Sequence, residues 1–131
     1  MFAAQTGQDM TYVPKLAPAK GFATELRAFI ALGARGANVT VPFKLEAIAI
    51  ATQLSVRAKL AGAVNTLCFN GDEIYGDNTD GIGLLRDLMQ NHQLKLAGRR
   101  VLLLGAGGAA RGVLRPLLDE QPADLIVANR T

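Results

Sequence analysis

Cysteine and histidine are nearly absent from this chain, and each scarcity removes a class of function. A single cysteine, Cys68, has no partner for an internal disulfide and fits a reducing compartment. With one histidine, His92, beside that cysteine, the donors of a zinc site are missing and no metal is expected. No apolar run reaches membrane-spanning length. Residues 1–7 carry neither the basic start nor the long apolar stretch of a secretory signal. Dense basic runs and aromatic platforms are missing too, so neither nucleic acid nor a membrane is an expected partner. A cytoplasmic protein follows from these absences together.

What is present supports a folded domain. The 131 residues are 50% hydrophobic and 19% charged, enough apolar side chain for a core and too little charge for disorder. Residues 1–94 hold eight Lys/Arg and eight Asp/Glu, whereas residues 95–131 hold six and three. The whole excess of +3 therefore sits in the C-terminal segment, where it would favour a phosphorylated ligand or simply form a solvated basic surface.

That segment contains Arg100-Val101-Leu102-Leu103-Leu104-Gly105-Ala106-Gly107-Gly108-Ala109-Ala110-Arg111-Gly112. An apolar run, a glycine cluster and a helix-forming run predict strand, tight turn and helix. The pattern is G-x-G-x-x-A, the dinucleotide fingerprint with Ala110 in its third glycine slot. Gly105 takes the turn, Gly107 lets a pyrophosphate approach the backbone, and the helix start offers free N–H groups. Alone, the motif is equally an ordinary strand–turn–helix.

Taken in order, the chain predicts the end of a helix over 1–7 and a short strand over 10–14 ended by Pro14. An amphipathic helix over 21–32 follows, then a strand over 37–41 stopped by Pro42, and a helix over 45–54. Ser55 reads as the N-cap of a further short helix that Gly62 breaks. Residues 63–69 and 73–75 form a hairpin about Asn70-Gly71. A helix over 82–91 and a linker lead to the strand over 100–104, the helix over 108–118 and a parallel strand over 124–128. The fold class is α/β. Residues 1–78 form a small α/β lobe, 79–97 a linking helix and linker, and 98–131 the first β-α-β of an incomplete Rossmann, doubly wound parallel sheet. Because such a sheet needs more strands and another helix layer, the sequence reads as cut at both ends.

Several residues are candidates for chemistry. Lys44 follows a strand-ending proline at a helix start, a place that suits either proton transfer or a plain surface lysine offset by Glu46. Asp80 lies in Asp77-Asn78-Thr79-Asp80-Gly81, where it caps a helix or, with Asn78 or Thr79 doing that, is free for another task. Asn65 and Thr66 are polar in an apolar strand, so the Asn65 amide pairs with backbone or faces a polyhydroxylated ligand. After the second strand of the glycine-loop unit stands Asn129-Arg130-Thr131. NAD would want an acid there; the arginine instead favours the 2′-phosphate of NADP. Cys68 reads as packing and His92 as a complement to a helix C-terminus, and Tyr12 and Tyr75 have no constellation around them.

Five blocks give these residues a common context: Asn38-Val39-Thr40-Val41-Pro42-Phe43-Lys44, Ala61-Gly62-Ala63-Val64-Asn65-Thr66, Gly76-Asp77-Asn78-Thr79-Asp80-Gly81, the glycine loop, and Asn129-Arg130-Thr131. In this order they resemble the NADP-dependent shikimate dehydrogenase family, bacterial biosynthetic type. The resemblance implies interconversion of 3-dehydroshikimate and shikimate, in the biosynthesis of chorismate and aromatic amino acids. It implies Lys44 and Asp80 as the catalytic pair, both also binding substrate, and Thr40 and Asn65 as further substrate-binding groups. Gly105, Ala106, Gly107, Gly108, Ala109 and Ala110 match the pyrophosphate loop, and Asn129, Arg130 and Thr131 the 2′-phosphate motif. Family members also carry a Ser-x-Ser motif for the substrate carboxylate and a later glutamine, and neither is found here. A weakly active or inactive fragment is the expectation. The alternatives are a non-catalytic remnant that self-associates through exposed sheet edges, and a relative acting on quinate.

Overall fold

The computed structural model of the chain describes residues 2–130. Two sheets form. The first contains β1 (Gly36–Asn38), β2 (Gln53–Leu54), β3 (Thr66–Asn70) and β4 (Glu73–Asp77), in the order β1-β3-β4-β2. The hairpin of β3 and β4 is present, but Asn70 pairs with Glu73, so its turn is Gly71-Asp72, one residue later than expected. Gly71 supplies the positive φ of 58° that this turn requires. β1 lies antiparallel on β3, and β2 lies parallel on β4. Along β3 the alternation buries Leu67 and Phe69 and turns Cys68 outward, so the thiol is exposed and not the packing group the sequence implied.

Four helices accompany this sheet: α1 (Phe2–Thr6), α2 (Phe22–Ala31), α3 (Ala47–Ile50) and α4 (Val56–Ala61). α2 contributes Phe22 and Leu26 to a core shared with Val39, Ala47, Ala58, Val64, Leu67 and Phe69. Ser55 caps α4, its hydroxyl accepting the Ala58 N–H, and Gly62 ends it in the left-handed conformation, both as expected.

The strand expected over 37–41 is Gly36–Asn38, so it ends four residues before Pro42. Two further expectations fail for tertiary reasons. Residues 45–54 do not form one helix. Only Ala47–Ile50 is helical; the chain then straightens, and Gln53–Leu54 joins the sheet as β2. Thr52 donates its N–H to the Ile74 carbonyl at 2.8 Å, and its hydroxyl accepts the Ile74 N–H at 2.9 Å, so pairing with β4 wins over helical periodicity. Residues 10–14 form no strand. They run exposed, with Tyr12 at 71%, and pair with no strand among the described residues.

The second sheet is β5 (Arg100–Leu104) beside β6 (Asp124–Ala128), parallel, joined by α6 (Gly108–Asp119). It is reached from the first through α5 (Asp80–Arg86), which runs on into a single π-helical turn, Asp87–Asn91, where the sequence implied continuous α-helix to residue 91. Leu85, Val113 and Leu117 form a second core with Val101, Leu103 and Leu125 around them. No helix among the described residues is long and apolar enough to cross a membrane. No group of three or more His, Cys, Asp or Glu side chains among them could hold a metal.

Candidate active site

Three chain reversals meet at one end of the first sheet: the turn after β1, the lead-in to β3 and the link from β4 into α5. Each is pinned. Phe43 stacks on Phe22 with ring centroids 4.8 Å apart, and the Lys44 carbonyl accepts the Val64 N–H at 2.8 Å, which fixes the backbone of Lys44 from both sides. Asn65 donates its N–H to the Asp77 carbonyl at 3.0 Å, and its own carbonyl accepts the Val39 N–H at 2.7 Å. Asn78, 2% exposed, donates from Nδ2 to the Ala63 carbonyl at 3.0 Å and accepts the Asp80 N–H at Oδ1. It therefore does the capping that Thr79, at the N-cap position, does not.

Side chains fixed this way converge. Lys44 Nζ donates to Asp80 Oδ2 at 2.7 Å, and the two side chains are 12% and 24% exposed. The other carboxylate oxygen, Oδ1, accepts from Asn65 Nδ2 at 2.7 Å. Asn65 also meets Thr79 and the Thr66 hydroxyl. Lys44, Asp80 and Asn65 are thus one cluster, drawn from positions 36 and 15 residues apart in the chain. A part-buried pair of opposite charges with one open side can hold or pass a proton at a polar ligand atom.

Thr40 stands apart. It is exposed, its carbonyl accepts the Phe43 N–H at 2.9 Å, and its hydroxyl has no hydrogen bond among the described residues. With Asn38 it borders an open pocket of about 590 Å³ lined by residues from 9–17, α2 and 33–40. Asn38 and Tyr12 were not readable as site residues. The Tyr12 hydroxyl donates to Asn38 Oδ1 at 3.0 Å, and Asn38 Nδ2 donates to the Thr66 hydroxyl at 3.4 Å. The polar pair Asn65-Thr66 in an apolar strand was the one signal that pointed this way.

Beside the Lys44–Asp80 pair, Asp77 ends β4 and holds α4. It accepts from the Ser55 hydroxyl, from the Asn78 N–H at 2.7 Å, and from Arg57 through Nε at 3.2 Å and through Nη2. Burial pushes the Asp77 carboxyl up, but the hydrogen bonds from Arg57, Ser55 and Asn78 together with the Arg57 charge outweigh it and hold the group below the usual carboxylate range.

The glycine loop closes the far side. Gly105 takes φ 105°, and its N–H donates to the Ala128 carbonyl at 2.8 Å, tying the loop to the end of β6. Asn129 and the exposed Arg130 follow directly; Thr131 lies outside the described residues. A Cβ on Gly105 or Gly107 would meet nothing within 4 Å, so the backbone is open there. α6 starts with no side-chain cap and no acid in its first turn, while Ala110 packs inward at 8% exposure. Open backbone and uncapped amides fit a pyrophosphate, and Arg130 beyond Gly105 fits a further phosphate. Gly108 does something else. A Cβ there would stand 3.3 Å from Lys44 Cβ, so the lysine stem lies against the start of α6 and the loop adjoins the charged pair.

Comparison with known proteins follows the same residues. Residues 1–67, which take in Thr40, Lys44 and Asn65, match the family model described as the shikimate dehydrogenase substrate binding domain. The chain is 62% identical over 130 residues to the NADP(+) shikimate dehydrogenase of Herminiimonas arsenicoxydans, covering 99% of this chain and 48% of that protein. It superposes on the crystal structure of shikimate dehydrogenase from Aquifex aeolicus with a TM-score of 0.91 and 35% identity, over 99% of this chain and 48% of the other. The shikimate 5-dehydrogenase of Thermus thermophilus, solved in complex with NADP(H) and shikimate, gives 0.87 and 32%, over 98% and 48%. The chain spans about half the length of the curated relatives it matches.

Proposed function

The chain belongs to the shikimate dehydrogenase family, and on that premise we propose that it carries the proton-transfer and phosphate-binding parts of an NADP-dependent oxidoreductase interconverting 3-dehydroshikimate and shikimate. The observation that carries this reading is the Lys44–Asp80 pair, 2.7 Å apart, with the Lys44 stem against the first residue of the glycine-loop helix. On this reading residues 1–78 are the substrate lobe, 79–97 the link, and 98–131 the opening β-α-β of a Rossmann unit.

NADPH, when bound, supplies the hydride to the ketone carbon. Lys44 Nζ gives a proton to the carbonyl oxygen as it becomes an alcohol, Asp80 Oδ2 holds the ammonium in line, and the neutral amine takes a proton back from solvent. Such a positioned acid is worth about 10²–10⁴-fold in rate. Thr40 faces the substrate's hydroxyls from the turn after β1. Asn65 adds an amide beside Asp80. Gly105, Ala106, Gly107, Gly108, Ala109 and Ala110 cradle the pyrophosphate, and Asn129, Arg130 and Thr131 take the 2′-phosphate. The exposed thiol of Cys68 suits a cytoplasmic setting.

Binding and turnover test this together. Shikimate is expected to bind the chain in calorimetry, and Lys44→Ala is expected to weaken it about tenfold, the worth of a charged hydrogen bond. Equal binding by both forms overturns the reading. NADPH oxidation with 3-dehydroshikimate is expected to be slow for this chain alone, because its loop and Arg130 account for the phosphate end of the cofactor only. Replacing shikimate with quinate in the same titration separates the two substrates. We further propose that the chain self-associates through the open face of the β5–β6 sheet.

A further inference from the structure

Thr66 heads β3 in register with Asn38 on one side and Asp77 on the other, so its Cβ is held by three strands. Its hydroxyl receives Asn38 Nδ2 at 3.4 Å and donates to Asn65 Oδ1 at 2.8 Å. The Thr79 backbone N–H, at 3.0 Å, takes the other side of the same amide oxygen, and the Thr79 hydroxyl lies 3.2 Å from that oxygen and 3.0 Å from the amide nitrogen. A backbone N–H can only donate, so the orientation of the Asn65 amide follows: oxygen toward Thr66 and Thr79, nitrogen toward Asp80. That nitrogen donates to Asp80 Oδ1 at 2.7 Å, and Oδ2 is left to meet Lys44.

We infer that Thr66 is a positioning residue for the Lys44–Asp80 pair, acting through the Asn65 amide. The inference rests on the reading of that pair as the proton-transfer pair. Every link donates in one direction, from the Asn38 amide to the Asp80 carboxylate, and bonds aligned in this way strengthen one another. An amide passes no proton without changing tautomer, so the chain orients the carboxylate and does not conduct. Valine at position 66 would keep the β-branched shape that a strand favours while putting a methyl group where the hydroxyl now meets Asn65 Oδ1. The amide oxygen would lose the shortest of its three hydrogen bonds, keeping the Thr79 N–H at 3.0 Å and the Thr79 hydroxyl at 3.2 Å, and Asp80 Oδ1 would face a less firmly held donor.

Lysine labelling reads this on the chain as it stands, with no substrate present. Limiting acetic anhydride is applied and each lysine is quantified by mass spectrometry, with the exposed Lys59 as the internal reference and Asp80→Asn setting the full scale. Thr66→Val is expected to raise the Lys44 to Lys59 labelling ratio about twofold to tenfold, the fold-change one neutral hydrogen bond is worth. Thr66→Ser is expected to restore the parent ratio. Thr66→Ala is labelled in parallel and serves if the valine variant does not fold. A parent ratio in the valine or alanine variant overturns the inference, as does a serine variant that labels like valine. A rise shared by every lysine also overturns it, since that marks a merely structural role. Labelling does not depend on turnover, so absence of dehydrogenase activity leaves this result readable, and failure here leaves the proposed activity standing.

Discussion

Asp77 and Asp80 lie three residues apart, and only one of them faces the open side of the cluster. Asp80 shares its carboxylate between Lys44 and Asn65, whereas Asp77 spends its own on Ser55, Arg57 and the Asn78 N–H. The Asp77 carboxyl titrates below its ordinary range in the folded chain, so the folded state binds its proton less readily than the unfolded state does. Its contribution to stability is therefore complete above the ordinary carboxylate pKa and is lost as pH falls through the lower, folded value. Asp77→Asn is expected to cost about 1.5–3 kcal/mol at neutral pH, the range for hydrogen bonds to a charged group. In urea melts collected from pH 7 downward, the gap between parent and variant should close as the acid range is entered. A gap that stays constant with pH would show that the charge of Asp77 contributes nothing. Lys44, Asp80 and Asn65 were legible singly, because a cation after a strand-ending proline, an acid in a capping stretch and an amide in an apolar strand each break a local rule. Their bonds to one another were not legible, nor were Tyr12 and Asn38. Those contacts depend on the register of β1, β3 and β4, which places Asn38, Thr66 and Asp77 side by side and leaves no periodic mark in the chain.

Helices α5 and α6 connect the acid pair to the glycine loop, and glycine sets how closely they pack. Pro116 has no amide to give the Gly112 carbonyl four residues back, and the Cα of Gly81 comes against that carbonyl and the proline ring. A Cβ at Gly81 would overlap Pro116 and stand 2.5 Å from the Gly112 oxygen. Helix propensity alone favours alanine by about 0.8–1.0 kcal/mol. Overpacking against two groups that cannot swing away costs about 1–3 kcal/mol, and the overlap decides the sign. Gly81→Ala is expected to lower the urea midpoint. Gly83→Ala, two residues along the same helix with nothing within 4 Å of its Cβ, is expected to raise the midpoint through a stabilisation of about 0.4–1 kcal/mol. Equal shifts in the two variants would remove the packing argument. At this scale the sequence was readable where one pattern dominates, as in β5, α6, β6 and the Ser55-capped α4. It misled where alternatives were close. Ala47-Ile48-Ala49-Ile50-Ala51 suits helix and strand alike, and a distant strand, β4, settles where the helix stops. Residues 10–14 have strand composition but no paired neighbour among those described, and composition alone does not make a strand.

The two sheets differ in how they meet solvent. The first is covered by α2 and its neighbours, with Leu67 1% and Val64 0% exposed. The β5–β6 pair is covered on one face, where Val101, Leu103 and Leu125 join the core of α5 and α6. On the other face Leu102 is directly opposite Ile126, and Leu104 opposite Ala128, with Leu102 61%, Leu104 75% and Ile126 57% exposed. A contiguous apolar patch on a two-stranded sheet, with both strands also edges, is a surface that soluble chains rarely leave open. Net charge gives little protection, since the +3 of residues 95–131 is spread over six basic and three acidic side chains. On the proposal of self-association, a second copy of the chain covers this patch and removes it from water. Sedimentation of the purified chain is expected to show concentration-dependent association in the micromolar range, the range that small apolar interfaces reach. Leu102→Lys combined with Ile126→Lys puts two like charges directly opposite one another on that face, one step along from Arg100 and Asp124, which share a register position. The double variant is expected to weaken association at least about tenfold, the effect of losing one interface anchor. Because both positions are solvent-exposed, the fold should persist, with unchanged far-ultraviolet dichroism. If the variant associates as strongly as its parent, the contact lies elsewhere, and the free edge of β1 beside residues 9–17 becomes the next surface to probe. If the parent is a monomer at every concentration, the open face is tolerated in water and the proposal of self-association fails.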